Sequence, residues 1–583
     1  MKKNSYVKWV VLVLLTALLM TVAACSNEPD APAEQGAAAP VTPTQTPTQT
    51  PAQTPGQTTP AQPVDNGDIP AIMNPIGTLP IVNEPVTFTV FTGVGAGVDL
   101  TTNASTLEFQ ERTGVVIDWI QVPSADAATR RNLMLATGDL PDIIINSPGT
   151  AASIFHYGSL GVFRPITPYI DVYAPELQRL FAAHPDIHAD LISTDGQIYA
   201  FPSIDDCFHC SIQAKMWVYM PWLDALNIPV PRTIDDFYNM LVAFRDGDPN
   251  GNGGEVIPLS FGPGSRMGSF IMNAFITTND NRLFMDNGVV KPAFDTPQWQ
   301  EGLRFLNKLY AEGLLAPESF VQDAATLRQV AEHPDYNILG TTQALWVGQF
   351  QTLDVSNQEG RWNSWRTIPP ITGPEGYVSA PINPLRGFPR AVITSNLPEE
   401  LMPIAVRWLD NFLTEESALL AIEGIEDLTW RRSDPGQVGI GGGPAVWERI
   451  AQHNAPANTL MGNLLPTFRS SEFRLSERAD RSIIEQETLL YDETLRYLPY
   501  MVDNALPVLF WDEAESVEVT DLATAINTFV AESYARFVVG DLSLDDDWDW
   551  YIRELHVIGL DRFLELQQSA YEARLARLAE WGM

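Results

Sequence analysis

Residues 216–261, MWVYMPWLDALNIPVPRTIDDFYNMLVAFRDGDPNGNGGEVIPLSF, hold the run of elements from which the fold is read. A strand-like run over 216–220 leads through a Pro-bounded turn into an amphipathic helix, and a Gly/Asn/Asp loop returns the chain into a second strand. Thr233 is followed three residues later by Asp236, a spacing that satisfies the orphan N–H groups of a helix start. Phe237, Met240, Leu241 and Phe244 then recur at i, i+3, i+4 and i+7, so one helix face is apolar and needs a sheet to pack on.

The same alternation continues toward the N-terminus. Val86, Phe88 and Val90 alternate as a half-buried strand, residues 115–120 form another, and a helical segment with Leu107 and Phe109 lies between them, a β-α-β start. A helix over 130–137 is stopped by Gly138, and Pro141-Asp142 opens the continuously apolar strand 143–145. Asn146 therefore sits just past the carboxyl end of a parallel strand, where open α/β sheets place ligands. Toward the C-terminus an amphipathic helix covers 299–312, Ala344-Leu345-Trp346 ends a short strand, and a helix over 402–413 carries Ile404, Trp408 and Phe412. Leu522, Ile526, Phe529, Val530 and Phe537 make one face of a last long helix that Gly540 stops. Trp222 and Trp408, inside amphipathic patterns, read as core.

At 583 residues the chain exceeds one core, so two or more lobes are expected. Its net charge of -37 repels nucleic acid and anionic surfaces and removes phosphate-binding readings. Lys2, Lys3 and Lys8 precede an apolar run over 9–24 that is shorter than a spanning helix needs, and it reads as a secretory signal. The run ends Val22-Ala23-Ala24-Cys25, similar to a bacterial lipobox, which predicts residues 1–24 as a lipoprotein signal peptide and Cys25 as a lipidated mature N-terminus. From Cys25 to about residue 83 the chain is rich in Pro, Thr, Gln and Ala, too poor in apolar groups to fold, and reads as a semi-extended tether. Three cysteines are too few for a disulfide framework. Cys207 and Cys210 form a local disulfide or two thiols; a C-x-x-C with His209 and Asp206 is a weak zinc or redox signal without a second pair.

The ordered string W-L-D-x-L…P-x-T-I-D-D-F-Y…D-P-N-G-N-G…I-P-L in 222–259 resembles the extracellular solute-binding proteins of the large sugar-binding family 1, above all its long oligosaccharide-binding lipoprotein branch. RRNLMLATGDLPDII (130–144), DGQIYAFP (195–202), GIEDLTW (424–430) and the closing run from 510 to 573 continue the resemblance. It implies two α/β lobes of the type II periplasmic-binding-protein architecture with a ligand cleft between them. The boundaries expected are 84–203 with 340–392 for lobe 1 and 204–339 with 393–583 for lobe 2. It also implies a monomeric lipoprotein on the outer face of the cytoplasmic membrane that hands a carbohydrate to the transmembrane subunits of an ABC permease, with no nucleic-acid partner. Rival readings are a secreted polysaccharide-active enzyme, whose carboxylate pair would leave no local signature, and a sugar sensor or adhesin without transport.

Strand-end position and chemistry single out Thr92, Asn146, Asp205, Arg266, Trp346 and Trp430 as ligand contacts, aromatics stacking on sugar faces and polar groups bonding hydroxyls. In 246–258, DGDPNGNGGEVIP, Asp248, Asn250 and Asn252 alternate as in the start of a calcium loop. Family members with D-P-N-G-N-G-x-x-D-E-I-P hold a structural calcium there, which implies a set of Asp248, Asn250, Asn252, the Gly254 carbonyl and Glu255. One residue is missing before I-P, Glu255 stands at the family's Asp and Val256 replaces its Glu, so a metal-free Gly/Asn turn remains the alternative.

Overall fold

The computed structural model describes residues 70–262, 267–278, 282–450 and 458–580. Cys25, the leader, most of the tether and Arg266 lie outside them. The first stretch of chain lays down β1 (Val86–Val94), β2 (Val115–Pro123), β3 (Ile143–Ile145) and β4 (Ala200–Asp205). β1 pairs in parallel with β2 and β3, as the β-α-β pattern requires. Both faces of this sheet are covered. Phe88, Val90, Ile143 and Ile145 pack on one side with Trp408 and Phe412, while Phe91 and Ile144 pack on the other with Ala127 and Met134.

The chain then builds a second sheet from β5 (Lys215–Tyr219) and β6 (Ile257–Leu259), adds the hairpin β7 (Leu283–Asp286) and β8 (Val289–Pro292), and continues through β9 (Leu339–Ala344), β10 (Trp365–Ile368) and β11 (Ala380–Pro381). The order is β10-β5-β9-β6, with β5 antiparallel to both its neighbours and β6 parallel to β9. The helix Ile234–Asp246 has the complete Thr233/Asp236 capping box, and Phe237, Met240, Leu241 and Phe244 are fully buried against this sheet. Met220, read from sequence as the end of the strand, opens the helix Met220–Leu226 because Pro221 suits a first helical turn.

β12 (Phe388–Ile393) returns to the first sheet, antiparallel between β3 and β4. The chain then adds the hairpin β13 (Trp430–Arg432) and β14 (Trp447–Arg449), and β15 (Phe468–Arg469) alongside β4. The first sheet thus runs β15-β4-β12-β3-β1-β2. The remaining chain, with β16 (Met501–Val502) and the helices Glu513–Val539, Trp548–Ile558 and Leu560–Glu580, belongs to the second lobe, where Ile526, Val530 and Phe537 are buried.

Two boundaries expected from sequence are corrected. Of the segment 340–392 only its end, from β12 onward, rejoins lobe 1: β9 and β10 flank β5, and Trp365 and Leu339 pack with Trp217. Nor does lobe 2 own everything after 393, since Met402, Trp408, Leu420 and Leu465 complete the first core. The folded body also begins before residue 84. Met73, Ile76, Ile81 and Val82 are buried in lobe 1, and the Arg407 guanidinium donates to the carbonyls of Asn74, Pro75 and Thr78. Apolar residues this sparse are held by Thr113 and by Arg407, the latter more than three hundred positions away, and local composition does not reveal such partners.

Candidate ligand site between the lobes

Three crossovers join the lobes, over 206–214, 382–387 and 470–485, and they are tied to one another. The Asn383 N–H donates to the Ser211 carbonyl at 2.7 Å, and the Asp206 carboxylate accepts the Ser471 N–H and hydroxyl, each at 2.9 Å. The first crossover runs from the end of β4 directly to the start of β5, so the carboxyl edge of one sheet meets the corresponding edge of the other. Lobe 1 contributes the ends of β1, β3 and β4 and the start of β12; lobe 2 contributes the ends of β6, β9 and β10 and the start of β5. Beyond the hinge the helix Ala151–Ser159, which follows β3, comes against the helix Glu513–Val539 of lobe 2.

On the lobe 1 edge, Asn146 adopts a left-handed backbone (φ 68°), which asparagine tolerates better than most residues. Its amide donates to the Gly93 carbonyl at 3.0 Å and accepts from Arg390 Nη1 at 2.6 Å, while its own N–H donates to the Arg390 carbonyl. Asn146 thereby locks the end of β1 and the first half of β12 into one surface. Arg390 was not singled out from sequence. Its Nε is buried with no hydrogen-bond partner among the described residues, and burial pulls its pKa down, a cation held ready for an oxygen acceptor. Thr92 lies beneath, fully buried with its hydroxyl on the Gly93 carbonyl, so it supports the β1 loop and is corrected from a ligand contact.

On the lobe 2 edge, Trp346 is half-buried just past β9. A Cβ on Gly348 would lie 2.1 Å from its Cζ3, so the indole rests on the glycine backbone, one side of it covered. Gln343 accepts from the Phe270 N–H at 2.9 Å, bringing the start of the helix Ser269–Met272 to the same edge. Trp430 is elsewhere. It is 3% exposed, donates its indole N–H to the Gly424 carbonyl at 2.9 Å, and packs with Leu419, Trp447 and Phe473. The expectation that it stacks on a sugar is corrected, because no face of the ring is free.

Asp205 ends β4 in a charged network that sequence reading missed. Its carboxylate takes Arg474 at 3.0 Å and Arg469 at 3.4 Å. Arg469 reaches Glu423 at 3.2 Å, Glu423 pairs with Arg449 at 2.8 Å, and Arg449 meets Glu477 at 3.0 Å. Arg474 also meets Glu487 at 3.3 Å, and Glu487 lies 3.2 Å from His209 Nε2. Burial works to raise each carboxyl, but Arg469 and Arg474 hold Asp205 low, Arg449, Arg469 and Arg474 hold Glu423 low, and His209, Arg474 and Arg449 hold Glu487 well below the usual carboxylate range. Glu477 is the exception. Burial, reinforced by Glu423, Glu487 and Glu485 and only partly offset by Arg449, pushes it up to about 8. The three guanidiniums are then matched by three carboxyls held low, with Glu477 the weakest acid of the four. No sequence signal marked this cluster because its members are scattered over 423–487, join Asp205 and His209 more than two hundred residues away, and read individually as surface charges.

The calcium candidate lies apart from the gap. Asp248 (φ 45°) accepts the N–H groups of Asn252 at 3.1 Å and Gly253 at 3.0 Å, and Asn252 accepts that of Gly254 at 2.8 Å. Gly253 stands at the sixth loop position with positive φ, where a calcium loop needs glycine, and the Gly254 carbonyl is at the seventh. Asn250 is committed elsewhere: its Oδ1 accepts the Trp222 indole N–H at 2.9 Å and its amide donates to the Asn337 carbonyl at 2.8 Å. Leu259, fully buried in β6, occupies the twelfth position in place of a bidentate glutamate. The loop shape fits the ion, while the ligand charge is low.

A sequence profile of the bacterial extracellular solute-binding proteins matches residues 97–417. The fructooligosaccharide ABC transporter substrate-binding protein FusA of Streptococcus pneumoniae is 27% identical over 79% of this chain and 85% of its own length. Lipoprotein LipO of Bacillus subtilis is 25% identical over 74% of this chain and 82% of its own. The solved structure of an S. pneumoniae FusA EF-hand mutant with fructo-nystose superposes with a TM-score of 0.66 at 24% identity, covering 84% of this chain and 100% of that one. The likeness extends to the two-lobe α/β fold described above.

Proposed function

Because the chain belongs to the bacterial extracellular solute-binding proteins, we propose that it captures an oligosaccharide between its lobes and presents it to the transmembrane subunits of an ABC importer. The observation that carries this reading is the meeting of the two sheet edges at a hinge of three crossovers, with a half-buried tryptophan on one side and the Asn146–Arg390 pair on the other. An aromatic face and convergent hydrogen-bonding groups are what a polyhydroxylated ring needs. The ligand residues proposed are Asn146, Arg390, Asp205, Arg266 and Trp346. Binding rather than turnover suits the site, since Asp205 is held ionised between two arginines. The chain acts as a monomer held by lipid on Cys25 at the outer face of the cytoplasmic membrane, and the closing of the lobes on ligand is the transport signal. FusA binds fructooligosaccharides by its name, so a thermal-shift screen starts with that series. A ligand at a hundredfold excess over Kd stabilises by about 2.7 kcal/mol; no shift with any oligosaccharide, and a shift with peptides, would overturn the substrate class.

Trp346→Ala is expected to weaken sugar binding about tenfold or more by calorimetry, the loss of an aromatic contact worth roughly 1.5 kcal/mol. Gly348→Ala should weaken it comparably with the tryptophan retained, because the new methyl group evicts the indole from its bed. Native affinity in both variants would remove Trp346 from the site.

We also propose a weak structural calcium ion on Asp248, Asn252, the Gly254 carbonyl and Glu255, with Asn250 bracing the loop through Trp222. With so little ligand charge the affinity belongs in the range of about 10⁻⁴–10⁻³ M found in extracellular modules. Chelator-stripped protein is expected to gain about 1.4–2.7 kcal/mol of stability when calcium is raised to roughly ten to a hundred times Kd. An unchanged melting temperature at that concentration counts against the site.

A further inference from the structure

The first crossover carries Cys207, Phe208, His209 and Cys210 in a single turn, with the two sulfurs bonded at 1.99 Å. The sulfurs and a ring nitrogen of His209 lie within 4.8 Å of one another. His209 is 3% exposed. Its Nε2 lies 3.2 Å from Glu487 Oε2 and 3.4 Å from an Arg474 amino group, and the closer, anionic partner assigns the proton to Nε2. Nδ1 is then a bare lone pair, and it is buried without a hydrogen-bond partner among the described residues. A lone pair left so costs about 1–3 kcal/mol, and such a group calls for an explanation. A carboxylate on one imidazole nitrogen and an unpaired second nitrogen, on a ring clustered with two sulfurs, is the outer arrangement that orients a metal-ligating histidine. The turn is also closed from below: Lys215 Nζ, fully buried, donates to the carbonyls of His209 at 2.7 Å and Ile212 at 2.6 Å. Cys210 is only half-buried, which leaves the turn an approach from solvent.

We infer that this turn is a redox-gated binding site for a thiophilic divalent cation such as zinc, formed by Cys207 Sγ, Cys210 Sγ and His209 Nδ1, with Glu487 holding the imidazole and a fourth position open to solvent. In the oxidised protein the sulfurs are spent on each other and no cation binds. A dithiol reductant delivers two electrons and two protons, the Sγ–Sγ bond breaks to two thiols, and the reductant becomes its own disulfide. The cation then displaces both thiol protons to solvent and takes the two thiolates and the imidazole lone pair, a ligand set suited to zinc. The turn lies in the crossover between the lobes, so both the disulfide and the metal close this one turn of the first hinge segment, and the metal-free dithiol leaves the turn open.

The test is a cobalt titration, cobalt being the coloured stand-in for zinc, on the full chain before and after dithiol reduction and anaerobic desalting. Reduced protein is expected to bind one equivalent with thiolate-to-cobalt charge-transfer absorption that zinc abolishes, and oxidised protein none. Glu487→Gln should weaken binding about ten- to a hundredfold, and His209→Ala at least as much. Cys207→Ser, which leaves the ion network untouched and should melt as the reduced parent does, removes the thiolate band. Absence of the band in reduced protein at micromolar cobalt, equal binding by oxidised protein, or native affinity in folded His209→Ala would each overturn the assignment.

Discussion

Asp190→Ala is expected to lower the unfolding free energy by about 3–5 kcal/mol, the cost of stranding buried charge when one partner of an ion pair is removed. The Asp190 side chain has no exposure and takes Arg574 at 2.8 Å and Arg386 at 3.2 Å. Arg574 comes from the last helix and also donates to the Ala189 carbonyl, while Arg386 lies in the second crossover and reaches the Leu506 carbonyl. One carboxylate in lobe 1 therefore holds both a hinge strand and the C-terminal helix of lobe 2. Burial raises the Asp190 carboxyl against the two arginines, so Asp190→Asn, which keeps an acceptor oxygen, should cost clearly less than alanine. Arg574→Met in the Asp190→Ala background should recover part of the loss by removing one unpaired charge. Calorimetric unfolding of the three variants checks this; equal losses for Asn and Ala, with no recovery in the double variant, would assign the effect to packing.

Glu477→Gln is expected to flatten the dependence of stability on pH. The folded-state value near 8 lies above the ordinary glutamate value of 4.5. The folded protein then binds the proton more tightly than the unfolded chain, and the contribution is fully present below about pH 4.5 and is lost as pH rises through about 8. At about 1.4 kcal/mol per unit the parent should lose several kcal/mol across that window relative to the variant. Glutamine mimics the protonated acid beside Arg449, so the variant should match the parent near pH 5 and exceed it near pH 8. Denaturant unfolding at both pH values measures the difference; parallel profiles would mean that Glu477 is ionised in the folded protein and the charge balance of the network is other than three against three.

Neither effect could be foreseen from the chain alone, and the contrast with what could is instructive. The Thr233 capping box, the buried face of Phe237, Met240, Leu241 and Phe244, the parallel start of β1 and β2 and the stop at Gly540 were all legible. Each depends on residues within one helical turn or one strand, where period and capping chemistry act directly. The solute-binding fold followed from the order of such units.

Pairings over long separations were decided only in three dimensions. β9 ends up beside β5, residues 72–82 are held by Arg407, and Trp430 is swallowed by Trp447 and Phe473. Of the residues chosen for the site, Asn146 follows the end of β3 and Trp346 the end of β9, while Thr92 and Trp430 are buried and Arg390 carries no local signal. A strand end says that a side chain is near the gap, not whether a neighbour from another segment has already taken its face or its hydrogen bonds. Local sequence therefore determined the elements, their capping and the acidic field of this protein. Tertiary structure alone decided lobe membership, which tryptophans are buried and the upward shift of the Glu477 pKa, because burial and charge neutralisation are properties of groups that meet only after the chain has folded.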